Sequence, residues 1–447
     1  MNLEKEELMH YRFERDFNDA LFVFSEKSPK VIKKLRFYYI MAFAEMLKWF
    51  PVSFVYTEIK LRIIRNFRYH GKKSYAIGVL IDKLDKGGME EVVYNLVSNF
   101  NPPLYTFIVG NKLGEKGWLL TKEGFYVYVI DDNWEEFTQL VKKNNIKLIN
   151  SHFSIWNLNK IKELGCKIVY TIHSQYTWIE YPPLVTQRIN AYEYVDWFIA
   201  VSDLTKEYFS FKFKTDESKI TVIENGFKMH SFYYKKKRSR QKEGEFIFVN
   251  VGTISPLKNQ LLSVSAFKEF VKKHKNSKLY LIGDTSDVEY MNLLKNYIKR
   301  NHLSKKIFIK SYVLKKDLFK FYLKSNCMIL SSLQEGAPNV LLEALYFGIP
   351  TISTDVGNAK NLLQDSGIII SNSYENLNFI TIDKLIKIGS SVNQRNKQEL
   401  IRAMSNVYEN YDFWLSKAKQ GRTFIKSLYN VNVMIDGYKV LFNKICK

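Results

Sequence analysis

The chain has 447 residues, which at about 150 per domain points to two or three domains. It is 46% hydrophobic and 25% charged, ordinary globular usage that excludes a disordered or fibrous chain. Lys and Arg number 67 against 45 Asp and Glu, a net +22, so the surface attracts phosphates, anionic lipid or nucleic acid. Cys166, Cys327 and Cys446 form an odd set without metal-ligand spacing. That argues against a disulfide scaffold or a zinc site and for a reducing compartment.

Met1–Asn18 carries Glu4, Glu6 and Glu7 and no apolar core, so no secretory signal is expected. The most apolar window, Phe37–Tyr56, is interrupted by Glu45, Lys48 and Pro51, so no spanning helix is expected either. Residues 1–74 read as a helical extension. Lys30–Lys73 holds eleven basic and two acidic residues, interleaved with aromatics such as Tyr38, Tyr39, Trp49 and Phe50. This pattern fits a helix on an anionic membrane surface, or a helical cap with its basic face in solvent. Both readings stay open.

After Ser74 short apolar runs alternate with longer amphipathic ones. Tyr75–Ile81, Leu104–Val109, Tyr126–Ile130, Lys147–Asn150, Lys167–Ile172 and Trp197–Val201 are predicted strands. Met89–Phe100, Trp134–Asn144 and Leu204–Phe209 are predicted helices between them. Such alternation specifies a parallel sheet with helices on both faces. Six basic residues in eight, Lys235 to Lys242, then mark a solvated linker. Alternation restarts at Phe246–Val251 and continues through Lys278–Ile282, Lys306–Ile309, Cys327–Leu330, Pro350–Ser353 and Gly367–Ile370. Helical segments close the chain from Lys397 onward. The expected fold is α/β: two Rossmann-like, doubly wound domains facing each other across a cleft, behind the helical extension.

Ser331–Pro350, SSLQEGAPNVLLEALYFGIP, carries the most chemistry. A strand ends near Leu330 and a helix begins near Pro338, a residue suited to a first helical turn. Ligands of open α/β sheets bind beyond the carboxyl ends of strands. The amides of Asn339, Val340 and Leu341 would face that crevice, where helix polarity favours a diphosphate. Glu335 precedes the helix and Glu343 lies inside it. One carboxylate would accept from sugar hydroxyls and the other would reach a ribose, since a carboxylate can accept two hydrogen bonds from a diol. A plainer reading has Glu335 capping the helix and Glu343 on its wet face.

EGAPNVLLEA followed by GIP resembles the E-x7-E motif of the retaining GT-B glycosyltransferases of glycosyltransferase family 4 (glycosyl transferases group 1). Gly87-Gly88 in DKGGMEEVV resembles that family's glycine loop after the first strand. His152 in SHFS and His173 in TIHS stand at strand ends where the family carries histidines. VSDLTKEYF and VIENGF, with Asn225 and Gly226, resemble the end of its N-terminal domain. VGTISPLKNQ, with Gly252 and Lys258, YLIGD with Gly283 and STDVG with Gly357 complete a set spread over about residues 75–440. Two departures stand out: Thr253 occupies the place of a frequent arginine, and Ser311 in KSYV that of a frequent glycine.

The resemblance implies an acceptor domain at 75–240, a donor-nucleotide domain at 241–412, and helices at 413–447 packing back toward the N-terminal domain. It implies transfer of a hexose, with retention, from a nucleoside-diphosphate sugar to a hydroxyl of a lipid-linked bacterial glycan at the inner face of the cell membrane. UDP-sugar is favoured over GDP-sugar, without metal or other cofactor. His173 and Glu335 are the expected catalytic residues. Gly87, Gly88, Gly252, Lys258, Tyr312, Val313, Asn339, Val340 and Glu343 are the expected donor-binding residues, with Tyr312 and Val313 at the base. A silent membrane-docked partner of another transferase and a GT-B sugar-nucleotide epimerase remain alternatives. A nucleic-acid role has only the net charge behind it, since no zinc-finger, RNP-like or helix-turn-helix signature is present.

Overall fold

The computed structural model describes residues 76–102, 104–228, 244–285, 287–311, 313 and 315–446. The basic extension before Ala76 and the run Lys235–Lys242 lie outside the described residues. Two parallel sheets organise the chain, as the alternation of apolar runs predicts. The first has strands β1 (Ala76–Ile81), β2 (Leu104–Ile108), β3 (Tyr126–Val129), β4 (Ile146–His152), β5 (Lys167–Ile172), β6 (Trp197–Ala200) and β7 (Ile220–Val222), in the order β3-β2-β1-β4-β5-β6-β7. The second has β8 (Phe246–Val251), β9 (Ser277–Ile282), β10 (Ile307–Lys310), β11 (Cys327–Leu330), β12 (Thr351–Thr354) and β13 (Ile368–Ile370), in the order β10-β9-β8-β11-β12-β13. Every pairing described is parallel, for example Ile77 with Leu104 and Cys327 with Phe248. β7 has no counterpart among the predicted strands, because three residues carry too little pattern to detect.

Two compact units divide the chain, one ending at Ile168 and taking in Cys446, the other running from Val169 to Ile445. In the first, β1 is buried along its whole length, as a strand covered on both faces must be. The helix Trp134–Lys143 is capped by Asn133, whose side chain accepts from Glu136 N–H, with Glu135 and Glu136 in its first turn and Lys142 and Lys143 in its last. These charges oppose the helix dipole at both ends.

In the second unit, Phe248, Leu261, Phe267, Leu279 and Ile329 share one core on one face of the second sheet. Val249, Met328, Leu341, Leu345 and Tyr322 share another. The last three helices, Lys397–Glu409, Tyr411–Leu428 and Val431–Cys446, bear out the helical close. The chain between the latter two returns to the segment after β7: Phe227 N–H donates to the Tyr429 carbonyl at 2.7 Å, and Val431 N–H to the Phe227 carbonyl at 3.2 Å. Lys444 Nζ lies 4.4 Å from the Trp197 ring centroid. Among the described residues no helix is long and apolar enough to cross a membrane.

Gly226 makes this return possible. A Cβ there would stand 2.7 Å from Val431 Cα, 2.8 Å from the Asn430 carbonyl oxygen and 2.9 Å from Met434 Cβ. Two of these are backbone atoms and cannot swing aside. Gly226→Ala is therefore expected to lose about 1–3 kcal/mol of stability through overpacking. A lowered thermal midpoint, with hydrogen exchange quickened in 431–446, is the outcome expected; an unchanged midpoint contradicts this packing.

Candidate donor site

In an open parallel sheet the crevice lies where the strand order reverses. In the second sheet that point is between β8 and β11, so the loops after Val251 and after Leu330 are the ones that can meet there. The structure brings them together.

Gly252 follows β8 directly, at φ 156°. Its N–H donates to the Ile282 carbonyl at 3.0 Å, and Gly283 rests directly on its carbonyl, leaving no space for a side chain. The chain then makes one 3-10 turn, Pro256–Lys258, and passes through Asn259 in the left-handed region at φ 54°. Asn259 and Gln394 exchange amide hydrogen bonds of 2.8 and 2.7 Å in the interior. Gln260 adds a 2.9 Å bond to the Thr253 carbonyl. Buried polar groups satisfied in this way hold a turn in one shape. Thr253 itself is exposed and supplies no charge.

The loop after β11 closes on this turn. Ser331 Oγ donates to the Lys258 carbonyl at 3.1 Å, and Leu333 N–H to the Leu257 carbonyl at 2.8 Å. Lys258 Nζ lies 2.6 Å from Glu335 Oε1, and Ser332 Oγ donates to the same oxygen at 2.8 Å. Glu335 is therefore not the cap of the following helix; its carboxylate is turned to the β8 loop.

The loop backbone is fixed from the other side by small polar side chains within the same unit. Gln175 Nε2 donates to the Glu335 carbonyl at 2.7 Å and Ser202 Oγ to the Gly336 carbonyl at 2.7 Å. Asn225 Nδ2 donates to the Ala337 carbonyl at 3.3 Å and to Asn339 Oδ1 at 3.1 Å. Thr177 Oγ1 donates to Gln334 Oε1. Gly336 sits against the His173 carbonyl with no room for a Cβ. Gln175 stands in none of the quoted motifs; Ser202 and Ser332 fall inside VSDLTKEYF and SSLQEGAPNV, but neither run says which carbonyl or carboxylate its serine meets.

The helix runs Asn339–Tyr346, with Pro338 at the N-cap (φ −73°, ψ 101°) rather than inside the first turn. Its β-region backbone is what the residue before a helix adopts. Leu341 N–H donates to the Pro338 carbonyl at 3.0 Å, so of the three amides expected to face a ligand at most Asn339 and Val340 remain. Glu343 is not on a wet face. It is 8% exposed and accepts a 2.8 Å hydrogen bond at Oε2 from the hydroxyl of buried Tyr322.

His173 follows β5, and its N–H donates to Tyr176 Oη at 2.9 Å. Burial pushes its imidazole down from the ordinary value near 6.5 to about 3, so it is neutral at physiological pH. Lys212 donates to the carbonyls of Tyr176 and Thr177 at 2.8 and 3.3 Å, bracing the segment just beyond it. Burial brings this lysine down to about 8.

Lys258, Glu335, Asn339, Val340, Glu343 and the His173 backbone thus belong to one connected stretch of the second unit. Val313 packs partly buried against the core that holds Leu341. Tyr312 lies outside the described residues. In the first unit, Gly87 and Gly88 are exposed at the start of the helix Gly88–Asn99. Gly87, at φ 147°, has its Cβ position filled by the Glu90 carboxylate. His152 ends β4 wholly buried, 2.8 Å from Asn150 Nδ2, as a satisfied core histidine would be. Among the described residues no three His, Cys, Asp or Glu side chains cluster as a metal site requires.

Two family models match in tandem, Glycosyltransferase Family 4 over residues 115–230 and Glycosyl transferases group 1 over 234–398, together more than half of the chain. An uncharacterised glycosyltransferase of Methanocaldococcus jannaschii is 30% identical over 170 residues, 37% of this chain and 41% of that protein. The UDP-Gal:alpha-D-GlcNAc-diphosphoundecaprenol alpha-1,3-galactosyltransferase of Escherichia coli is 27% identical over 295 residues, 58% of this chain and 72% of that one. The chain therefore spans less than half the length of the first of these relatives. Among solved structures, Anabaena HepE in complex with UDP aligns with a TM-score of 0.68 at 16% identity, over 83% of this chain and 100% of that one. TarM aligns with a TM-score of 0.61 at 12% identity, over 83% and 99%. The fold is GT-B, and the chain belongs to the glycosyl transferases group 1 family, glycosyltransferase family 4.

Proposed function

We propose that this protein is a retaining, metal-independent glycosyltransferase that moves a hexose from a UDP-sugar to a hydroxyl of a lipid-linked bacterial cell-surface glycan. The observation that carries the reading is the placement of Lys258 Nζ and Glu335 Oε1, 2.6 Å apart, beside the N-terminus of the helix that bears Glu343. A diphosphate at that terminus meets helix amides and a lysine charge; the sugar and ribose then fall to the two carboxylates. The bond from the anomeric carbon to phosphate breaks toward an oxocarbenium-like state, and the leaving diphosphate is stabilised by fixed positive groups. Neutral His173 supplies a polar group near the anomeric centre without placing a cation against the developing positive carbon.

The names of relatives support the substrate class. One is a UDP-Gal enzyme acting on a diphosphoundecaprenol-linked sugar, and another, a Staphylococcus aureus protein, is a capsular polysaccharide biosynthesis glycosyltransferase, 25% identical over 252 residues. Structural relatives in complex with UDP and with UDP-glucose support the donor. In this reading 75–240 holds the acceptor, 241–412 the donor, and 413–447 packs back on the N-terminal domain, in line with the Phe227–Tyr429 bond. The protein works at the cytoplasmic face of the cell membrane, held by its basic extension.

Glu335→Ala and Glu343→Gln each remove charge-assisted bonds of about 1.5–3 kcal/mol. Transfer at sub-saturating donor should fall roughly ten- to a hundredfold in each, with the thermal midpoint little changed for Glu335→Ala. Full activity in either variant contradicts the assignment.

The depressed His173 sets a pH expectation. Above 6.5 the residue is neutral folded or unfolded. Below it the unfolded chain binds a proton that the folded chain refuses, so stability declines as pH falls from 6.5 toward about 3. Activity, by contrast, should show no acid limb centred near 6.5 in kcat/KM. A limb there that disappears in His173→Gln contradicts the neutral role.

The extension gives a third expectation. Lys30–Lys73 carries eleven basic and two acidic residues. Each basic side chain near an anionic surface contributes about 1 kcal/mol, screened over roughly 8 Å at physiological salt. The protein should sediment with anionic but not zwitterionic vesicles, release with salt, and bind less after neutralisation of Arg62, Arg65 and Arg68. Absence of binding even at low salt, with lost thermal stability in the triple variant, identifies a structural cap instead.

A further inference from the structure

Glu343 is assigned above to the donor ribose, and a buried neighbour is already attached to it. Tyr322 lies on the helix Lys315–Lys324 and is 0% exposed. Its hydroxyl donates to Glu343 Oε2 at 2.8 Å. Its ring stacks on Phe347, centroids 5.5 Å apart and planes 25° apart. Phe347 caps the C-terminal end of the Glu343 helix, its N–H donating to the Glu343 carbonyl at 3.0 Å. The ring that carries the hydroxyl is thus fixed by the same helix end that carries the carboxylate. Phe319, one turn from Tyr322, packs on Phe347 as well, at 5.1 Å.

A buried carboxyl group needs hydrogen-bond partners for its oxygens. A carboxylate side chain also has free rotations, and aiming it at a diol costs side-chain entropy at binding unless something fixes it first. The Tyr322 hydroxyl supplies that fixing contact. It holds Oε2 and fixes the plane of the carboxylate, and with it the direction in which the group meets a ligand hydroxyl. Burial raises the tyrosine well above its ordinary ionisation range, so the proton stays on its oxygen.

Resting on the donor assignment of Glu343, we propose that Tyr322 is a positioning residue that orients this carboxylate, so that the protein recognises the ribose hydroxyls of a nucleoside diphosphate. Tyr322 touches no substrate; it acts through Glu343.

The test is calorimetric titration of the full chain with UDP and with 2′,3′-dideoxy-UDP, read as the ratio of the two affinities. The parent should prefer UDP by about tenfold or more, the scale of a charge-assisted bond. Tyr322→Phe keeps the ring stack and should reduce the ratio to about threefold or less. Glu343→Gln should abolish it, and Tyr322→Phe should change nothing further in the Glu343→Gln background, because both act through one contact. A purely structural tyrosine would shift the thermal midpoint and leave the ratio intact, and that result overturns the proposal. A parent without preference between the two nucleotides overturns the ribose role of Glu343 itself. Should Tyr322→Phe fail to fold, Tyr322→Leu also removes the hydroxyl and remains apolar. A ratio reduced to about threefold in that variant supports the positioning role, and an intact ratio overturns it.

Discussion

The chain cannot pass through Gly336 in any other way without losing the site. Its Cβ position is filled by the His173 carbonyl, and its own carbonyl accepts from Ser202. Gly357, at φ 54°, closes from a third side, where a Cβ would stand 2.5 Å from the Gly336 oxygen. One residue earlier stands Glu335, and three later the helix of Glu343 begins. Because the loop backbone is held at Leu333, Glu335, Gly336 and Ala337, the carboxylate of Glu335 is aimed before any ligand arrives. Each neutral bond contributes only about 0.5–1.5 kcal/mol, yet together they leave the loop no alternative path. A preformed site spares a ligand the cost of ordering it.

Lys258 and Ser332 both address one oxygen of Glu335. On the donor assignment proposed above, a diphosphate at the helix terminus would compete for the lysine, and a sugar hydroxyl for the carboxylate. The pair is partly exposed rather than sealed, so exchanging these partners costs little. Thr253 is exposed and uncharged, so Lys258 is a cation that the β8 loop brings to Glu335, and the turn made by Asn259 and Gln394 keeps that lysine in place.

The fold is legible in the sequence because buried parallel strands are written as apolar runs. Phe246–Val251 and Cys327–Leu330 match residue for residue, and most other strands shift by one or two positions. Glu335, Glu343 and Lys258 are legible through motif spacing. What escapes is what depends on distance along the chain. Gln175 meets the Glu335 carbonyl across 160 positions and Ser202 meets Gly336 across 134, with nothing local to announce either. Tyr322 reads as one more aromatic in KFYLK, and only packing reveals that its hydroxyl ends on Glu343. Pro338 stands one position earlier than a first-turn proline, since its ring suits both the N-cap and the first turn.

A crystal structure with UDP-glucose bound is the most direct test of a Glu335 loop preformed for a nucleotide sugar. The diphosphate is expected at Asn339 and Val340 with Lys258 Nζ on a phosphate oxygen, Glu335 on the sugar, and the backbone of 333–338 within about 1 Å of the path described above. A nucleotide bound elsewhere, or a loop that must break its bonds to Gln175 and Ser202 to admit it, contradicts a preformed donor site.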